Sequence, residues 1–283
     1  MKDERGFALV ITLLITALLV GLSVEFADEV FVDTSARQNF VAAQQASLLA
    51  ESGVNGGIKL VQFTLAKQAY SSLLDLWATP LEKDDENGHL SITIEDESGK
   101  LNLNQIFGPN GNVLYQKNHD IAVRLFKSLG LSPDLLDALN DWVDDSSLPP
   151  HPAGAKNPYY NTLKPPYNAK NGALDTVEEL ALAKGFTVLL VQQLRPYVTI
   201  YSDSPGLVNI NTAPEKIIAA LDDRMTDSLT EQVLDYRKTT PFQQTGELAK
   251  VPGMETIAAG LATSTTSKGT VTSCILAPEL SLR

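Results

Sequence analysis

A chain of 283 residues is long enough for two domains, or for one domain carrying a large insertion. Its 43% hydrophobic share supports a packed core and excludes a disordered polar chain. A formal net charge of −12 speaks against a nucleic-acid partner, because phosphate contacts need clustered Lys and Arg. The single cysteine, Cys274, leaves no internal disulfide to hold the loops.

Met1 to Gly6 is a short charged leader, and Phe7 opens an apolar run that lasts to Val24. At ~1.5 Å per residue that run makes a helix of roughly 27 Å, close to the ~30 Å hydrocarbon core of a bilayer. No small-residue cleavage signal follows; the chain runs on through Glu25-Phe26-Ala27-Asp28 without a proline. The processing point is therefore expected before the run, between Gly6 and Phe7. Lys2 and Arg5 precede the span, whereas Glu25, Asp28, Glu29 and Asp33 follow it with no base before Arg37. That distribution places the N-terminus inside and the bulk of the chain outside. The arrangement resembles the signal of type IV pilins and pseudopilins; an uncleaved anchor on an unrelated periplasmic protein is the alternative. Most members of that class carry a Glu five residues into the mature helix, where this chain has Ile11. An ionisable group at such depth costs ~2.5–3.5 kcal/mol on insertion scales, so it needs a partner. The resemblance implies that this partner is the N-terminal amine of a neighbouring subunit. A subunit with Ile11 then suits the tip, with no neighbour above it, and in this it resembles the minor pseudopilin K family of type II secretion.

From Glu25 to about Ala66 the apolar spacing stays helical, through Phe26, Val30, Phe40, Val41, Leu48, Leu49 and Ile58, so one continuous helix is expected. Gly53, Gly56 and Gly57 weaken it locally or mark a close approach. Residues 68–88 read as irregular. His89 to Asp96 alternates with period two and reads as a strand; Glu97-Ser98-Gly99-Lys100 reads as a turn, and Leu101-Asn102-Leu103-Asn104 as a returning strand of a hairpin. ESGKLNLN is similar to the core hairpin of the K family, and Asn102 and Asn104 are expected to stabilise a turn or an edge. Helices then follow, over Ile121 to Leu129 with Gly130 as a stop, and after Ser132-Pro133-Asp134, carrying Leu135, Leu136, Leu139 and Trp142. Residues 144–172 lack periodicity. A second helical block spans Asp175 to Tyr197, and after Val208-Asn209-Ile210 a further helix is expected with Asn211 or Thr212 as its cap. Helices continue to about Leu261. The closing strands of the family are hard to find after Gly269.

An internal repeat is visible. Glu179-Leu180-Ala181 and Glu247-Leu248-Ala249 are each followed, three residues on, by Gly and a large apolar residue (Gly185-Phe186, Gly253-Met254). Trp142 precedes the first copy and Tyr236 the second, and the first interval holds about 26 extra residues, those of the Pro-rich loop.

No Lys or Arg lies between Lys127 and Lys156, an interval holding Asp134, Asp137, Asp141, Asp144 and Asp145. Acids at a helix C-terminus oppose the macrodipole and call for compensation. Calcium, which takes six to eight oxygens from carboxylates, amides and carbonyls, would supply it, with Asn157, Asn161 and Asn168 completing the shell; a solvated acidic loop is the alternative. The EF-hand spacing is absent. Resemblance to the K family implies calcium near Asp141-Trp142-Val143-Asp144-Asp145, Gly154-Ala155-Lys156 and Tyr159-Tyr160. Two departures stand out: Asp145 comes one place early, and Lys156 stands where the family has Glu, putting a cation where a ligand belongs. Calcium is still expected, on Asp141, Asp144, Asp145, Asn157 and Asn168.

VNINTAPEKIIAAL with VLDYRKTTPF and ELAKVPGM also looks like a DNA-binding helix-hairpin-helix, and a membrane-anchored competence-like module is the rival reading. Its first hairpin turn, however, reads Asp222-Asp223-Arg224-Met225, without the glycines that expose amides to phosphate. His89, His119 and His151 lie apart in sequence, with no nucleophile elbow or metal-ligand motif, so no enzyme is expected.

The expected fold is α+β: a pilin-like long N-terminal helix packed on a small antiparallel sheet, with an inserted α-helical (SAM-like or helix-hairpin-helix-like) domain. The expected divisions are a leader (1–6), a membrane part (7–24), a pilin-like helix and first strands (25–110), a first helical unit (111–205) around the 144–172 loop, a second (206–262) and a C-terminal segment (263–283). The resemblance implies a tip subunit that helps initiate the pseudopilus. Its partners would be minor pseudopilins of the I and J families, other pseudopilins, the prepilin peptidase and the inner membrane, with no nucleic acid.

Overall fold

The computed structural model describes residues 4–85, 88–201, 205–269 and 272–279. Its first element, α1 (Glu4–Lys67), is one unbroken helix. Neither a proline nor the glycines Gly53, Gly56 and Gly57 interrupt it; Gly53 and Gly57, one turn apart, are buried, while Gly56 is exposed. All side chains from Phe7 to Val24 are exposed. The chain divides into two compact units, one comprising Met1–Asn55, Glu82–Ser91 and Leu276–Arg283, the other Gly56–Leu81 and Ile92–Ile275.

After α1 the carboxylate of Asp75 gathers its own segment. It accepts hydrogen bonds from Gln68 Nε2 (2.7 Å), Ser72 N (2.9 Å) and the Trp77 indole (3.0 Å). Strands β1 (Leu81–Asp85) and β2 (Gly88–Asp96) come next. The charged sequence of β1, read above as irregular, is a strand at a sheet edge, where charge blunts pairing with other chains. The predicted hairpin after β2 does not form. Glu97–Gly99 is a short 3-10 turn, and β3 (Leu101–Asn102) leaves β2 to pair, in parallel, with a strand almost a hundred residues later.

That pairing opens the first of two similar units. Helices α2 (Gln116–Ser128), α3 (Leu135–Val143) and the one-turn α4 (Asn157–Tyr160) follow β3. A 3-10 segment (Val177–Leu182), α5 (Val188–Leu194) and β4 (Val198–Thr199) close the unit, Leu101 lying opposite Val198. The second unit runs from β5 (Val208–Asn209) through α6 (Glu215–Ala220) and α7 (Asp227–Thr239). A 3-10 segment (Thr245–Lys250), α8 (Glu255–Leu261) and β6 (Thr265–Thr266) complete it, Val208 lying opposite Thr265 in another parallel pair. The last strand, β7 (Thr272–Glu279), joins a sheet of order β1-β2-β7. A closing strand thus exists where the sequence reading found none. Each helical unit thus contains a small two-stranded parallel sheet that the sequence reading did not anticipate.

Burial follows helical spacing. Ile121, Ala122, Leu125 and Phe126 of α2, Leu136, Leu139 and Trp142 of α3, and Ile217, Ile218, Val233, Ile257 and Leu261 of the second unit share one core. Each copy turns into its last helix at a glycine with φ +84°, Gly185 and Gly253. A Cβ at Gly253 would also stand 2.7 Å from Leu229 Cδ2, so this left-handed turn is open only to glycine.

The copies share a further device. Asn104 grips Leu174, its amide donating to the carbonyl at 3.0 Å and its oxygen accepting from the N–H at 2.8 Å. Asn211 grips Phe242 in the same way, at 2.8 Å and 2.8 Å. Asn102 and Asn209 each accept the backbone N–H two residues on, at 2.8 Å and 3.1 Å. Asn211 therefore does not cap α6, whose first turn follows Pro214 with no side-chain cap, and Thr212 bonds Asp96 instead. Replacing Asn211 by Ala should leave both backbone groups of buried Phe242 without partners, costing about 1–3 kcal/mol in urea unfolding. A change below a few tenths of a kcal/mol would deny the grip its role.

Candidate functional site

Three places were candidates: the exposed apolar helix, the acidic loop, and the junction where β2, the second unit and the chain after α1 meet.

At the junction Asp96 is 7% exposed and at the centre of a polar knot. Its carboxylate accepts from Ser98 N (2.9 Å), Asn209 Nδ2 (2.7 Å) and Thr212 Oγ1 (2.8 Å). Ser71 completes the knot: its hydroxyl accepts from Asn209 Nδ2 at 3.0 Å and from Gly269 N at 2.6 Å. A Cβ at Gly269 would sit 2.6 Å from both Asp96 oxygens, so the backbone passes directly over the carboxylate. Burial pushes the Asp96 carboxyl above its ordinary value, against those hydrogen bonds, which pull it down.

In the loop the expected calcium ligands part ways. Asp141 is fully buried, but its oxygens face His151, Oδ1 at 2.7 Å from Nδ1 and Oδ2 accepting the backbone N–H at 2.9 Å. Gly154 presses on the same carboxylate, its Cβ position only 1.9 Å from Asp141 Oδ2, so only glycine fits. Asp144 is buried and accepts from Ser146 N (2.8 Å) and Ser146 Oγ (2.9 Å), and its Oδ2 is ion-paired with the Lys156 ammonium. Burial raises the Asp144 carboxyl, but the Lys156 and Ser146 donors outweigh it and hold it below its usual range. Asn157 spends its side-chain oxygen on Ala169 N at 2.8 Å, and Asp145 and Asn168 are exposed. Among the described residues no three His, Cys, Asp or Glu side chains gather to hold a metal. With these oxygens committed elsewhere, the residues do not fit the six- to eight-oxygen shell of calcium.

What holds the loop is aromatic and polar packing. Trp142 meets Tyr160 edge-on with centroids 5.1 Å apart and Tyr167 at 6.3 Å, and its indole donates to Glu179 Oε1 at 3.0 Å. Tyr160 accepts from Lys184 N at 3.1 Å, and burial pushes its hydroxyl up to about 12. The repeat extends to Glu179, which accepts the Asp175 N–H at 3.0 Å as Glu247 accepts that of Gln243 at 2.8 Å.

An open cleft of about 680 Å³ lies along Glu95, Lys100, Glu178, Arg195 and Tyr201. Its charges are paired, Lys100 with Glu95 and Glu97 and Arg195 with Glu178. At the α6–α7 turn Arg224 is spent on Asp222 at 2.8 Å and Asp223 is exposed, so the turn offers phosphate a carboxylate.

In α1 the apolar exposure runs past the span. Phe7 is 69% and Ile11 41% exposed, and Phe26, Val30, Phe31, Phe40, Val41 and Leu48 continue the exposed apolar series. This is one helix long and apolar enough to cross a membrane, with none of its most apolar window buried. The expected processing site at Gly6 falls within α1, where the structure describes the backbone alone.

The fold and these surfaces define a chain with an apolar N-terminal helix suited to anchoring in a membrane and a double-repeat helical head closed by short strands. Family models described as type II secretion system (T2SS), protein K match residues 99–203 and 208–267, one for each repeat. The chain belongs to the type II secretion system protein K family. It is 29% identical to type II secretion system protein K of Klebsiella pneumoniae over 89% of this chain and 81% of that one. The protein of the same description from Pseudomonas aeruginosa is 27% identical over 88% of this chain and 77% of its own length. In fold, it is similar to a chain of the GspK-GspI-GspJ complex from the enterotoxigenic Escherichia coli type 2 secretion system. The TM-score is 0.69 at 21% identity, covering 87% of this chain and 89% of that one.

Sequence reasoning missed the Asp96 knot and the Asn grips. The signal for the grips was present, as Asn-apolar-Asn recurs at 102–104 and 209–211, starting at the last residue of the strand that opens each copy.

The raised Asp96 carboxyl has a defined sign. The folded state holds this proton more tightly than the unfolded chain, so its contribution is complete below the ordinary value of 3.8 and is lost as pH rises through the higher folded value. Stability of the wild type minus that of Asp96→Asn should therefore fall as pH rises from about 4 towards 7, in parallel urea series. A flat difference would remove the burial argument.

Proposed function

We propose that this chain is a minor pseudopilin that sits at the tip of the type II secretion pseudopilus and helps initiate its assembly. The observation that carries the reading is the apolar surface of α1. Phe26, Val30, Phe31, Phe40, Val41 and Leu48 stay exposed beyond the length a bilayer covers. An apolar stripe of that extent on a helix calls for other helices. The match to a chain of a complex that contains GspI and GspJ supports sister minor pseudopilins as those helices.

Ile11 supports the tip position. A subunit without an acid at this depth has nothing to neutralise an amine above it, and it carries no charge that needs burial in the hydrocarbon. The same reading takes Gly6/Phe7 as the prepilin peptidase site and the inner membrane as the location, with the N-terminus cytoplasmic and the head periplasmic.

Two measurements test it. The membrane-extracted protein should have a mass beginning at Phe7 with an added N-methyl group, and the full-length chain co-expressed with its I- and J-type partners should purify with them. Val41→Glu should abolish that co-purification at least tenfold while leaving the melting temperature of the head within about 2 °C, because Val41 is exposed. A mass that retains Met1 together with failure to associate would overturn the reading.

A further inference from the structure

We propose that the ammonium of Lys156 is the resident cation of the inserted loop, so that this head holds its acidic segment without a metal ion. The inference does not rest on the tip reading. Three oxygens converge on Lys156 Nζ: Oδ2 of Asp144, with which it is ion-paired, the Asp144 carbonyl at 3.3 Å and the Ser146 carbonyl at 3.2 Å. One carboxylate and two main-chain carbonyls aimed at a single point are what a hard cation asks of a loop. Here the point is filled by a side chain from twelve residues further along the same loop. The Lys156 side chain is 11% exposed and that of Asp144 2%, so the pair is largely shielded from water.

The surroundings are fixed around this pair. A buried carboxylate is tolerated when it is paired and its remaining lone pairs are hydrogen-bonded, and Ser146 supplies two such bonds to Asp144. Gly111, at φ +72°, lies against the carboxylate, its Cβ position 3.0 Å from Asp144 Oδ2 and 3.4 Å from Asn140 Oδ1. Asn140 Oδ1 is buried without a hydrogen-bond partner among the described residues, which leaves an oxygen unused beside the pair. Asp141, a buried acid in the last turn of α3, is met by His151. The charge of Asp144 is balanced one to one by a cation tethered to the chain, and a tethered ion cannot be removed by a chelator.

Exchanging the tethered cation for an acid should recreate a demand for calcium. In Lys156→Glu the new carboxylate would face Asp144, beside the two carbonyls and the unused Asn140 oxygen. The test uses full-length protein in detergent, with calcium chloride as the probe. Wild-type melting should shift by less than about 1 °C between 1 mM EDTA and 2 mM calcium, and calorimetry should register no saturable calcium binding. Lys156→Ala should melt several degrees lower in both buffers, on the order of 5–10 °C, and residues 144–156 should become sensitive to limited proteolysis. Lys156→Glu should show the same loss in EDTA and recover at least half of it in calcium.

Saturable calcium binding by the wild type, with a raised melting temperature, would overturn the proposal without any variant being made. So would a Lys156→Glu protein that calcium does not restore, or a Lys156→Ala protein as stable as the parent. If either variant fails to fold in EDTA, refolding with and without calcium gives the same readout: recovery of Lys156→Glu alone supports the proposal, and recovery of neither overturns it.

Discussion

The head depends on one constraint: backbone groups in a buried loop must find hydrogen bonds, and here asparagine side chains supply them. Each repeat is closed by only two pairs of strand residues, so the ladder contributes few bonds. The long excursions between those strands would otherwise bury peptide groups with nothing to pair with. A single amide that donates and accepts at the same residue substitutes for a stretch of sheet. Asn104 and Asn211 do this from equivalent positions, which is why the copies superimpose in logic although their intervening loops differ by about 26 residues. The insertion enters between the end of α3 and the gripped Leu174, so it lengthens the excursion without disturbing either fixed point. Loop length is a weak entropic term, roughly 0.6 kcal/mol per doubling, whereas a lost fixed point costs more.

Asp96 applies the same rule between segments. A carboxylate that accepts from Ser98, Asn209 and Thr212 ties the end of β2 to the strand that opens the second repeat, and Ser71 brings in the chain that leaves α1. Burial works against the charge and the hydrogen bonds work for it, and burial prevails in the raised carboxyl. A buried charge of this kind can contribute position at an energetic cost.

The long helix, its apolar run and the E-L-A repeat were legible because each rests on periodicity or composition, which a sequence carries directly. The hairpin after β2 was misread because Glu97-Ser98-Gly99-Lys100 is good turn chemistry in isolation, while the partner of Leu101 is Val198, far beyond any local window. β1 was missed because its charged sequence opposes strand propensity, and only its place at a sheet edge makes those charges suitable. The calcium ligands were chosen by residue type, and type cannot show that Asp141 faces a histidine or that Asp144 is already paired. The sequence did hold one relevant difference, a lysine at position 156 where the resemblance implied an acid.

These features fit the demands on a subunit anchored by one helix. If the α1 surface is to pack with neighbouring helices, the head must keep its shape with little help from them. It has no disulfide to do so, since the chain has one cysteine. Stability then comes from the apolar core the two repeats share, and the loops are positioned by polar contacts whose partners lie on this chain, among them the amide grips and the Asp96 carboxylate. Such contacts form on folding and, unlike a bound ion, do not depend on the concentration of a separate ligand. A head built this way meets its partners with its loops already ordered, and association is then spared the entropy of ordering them.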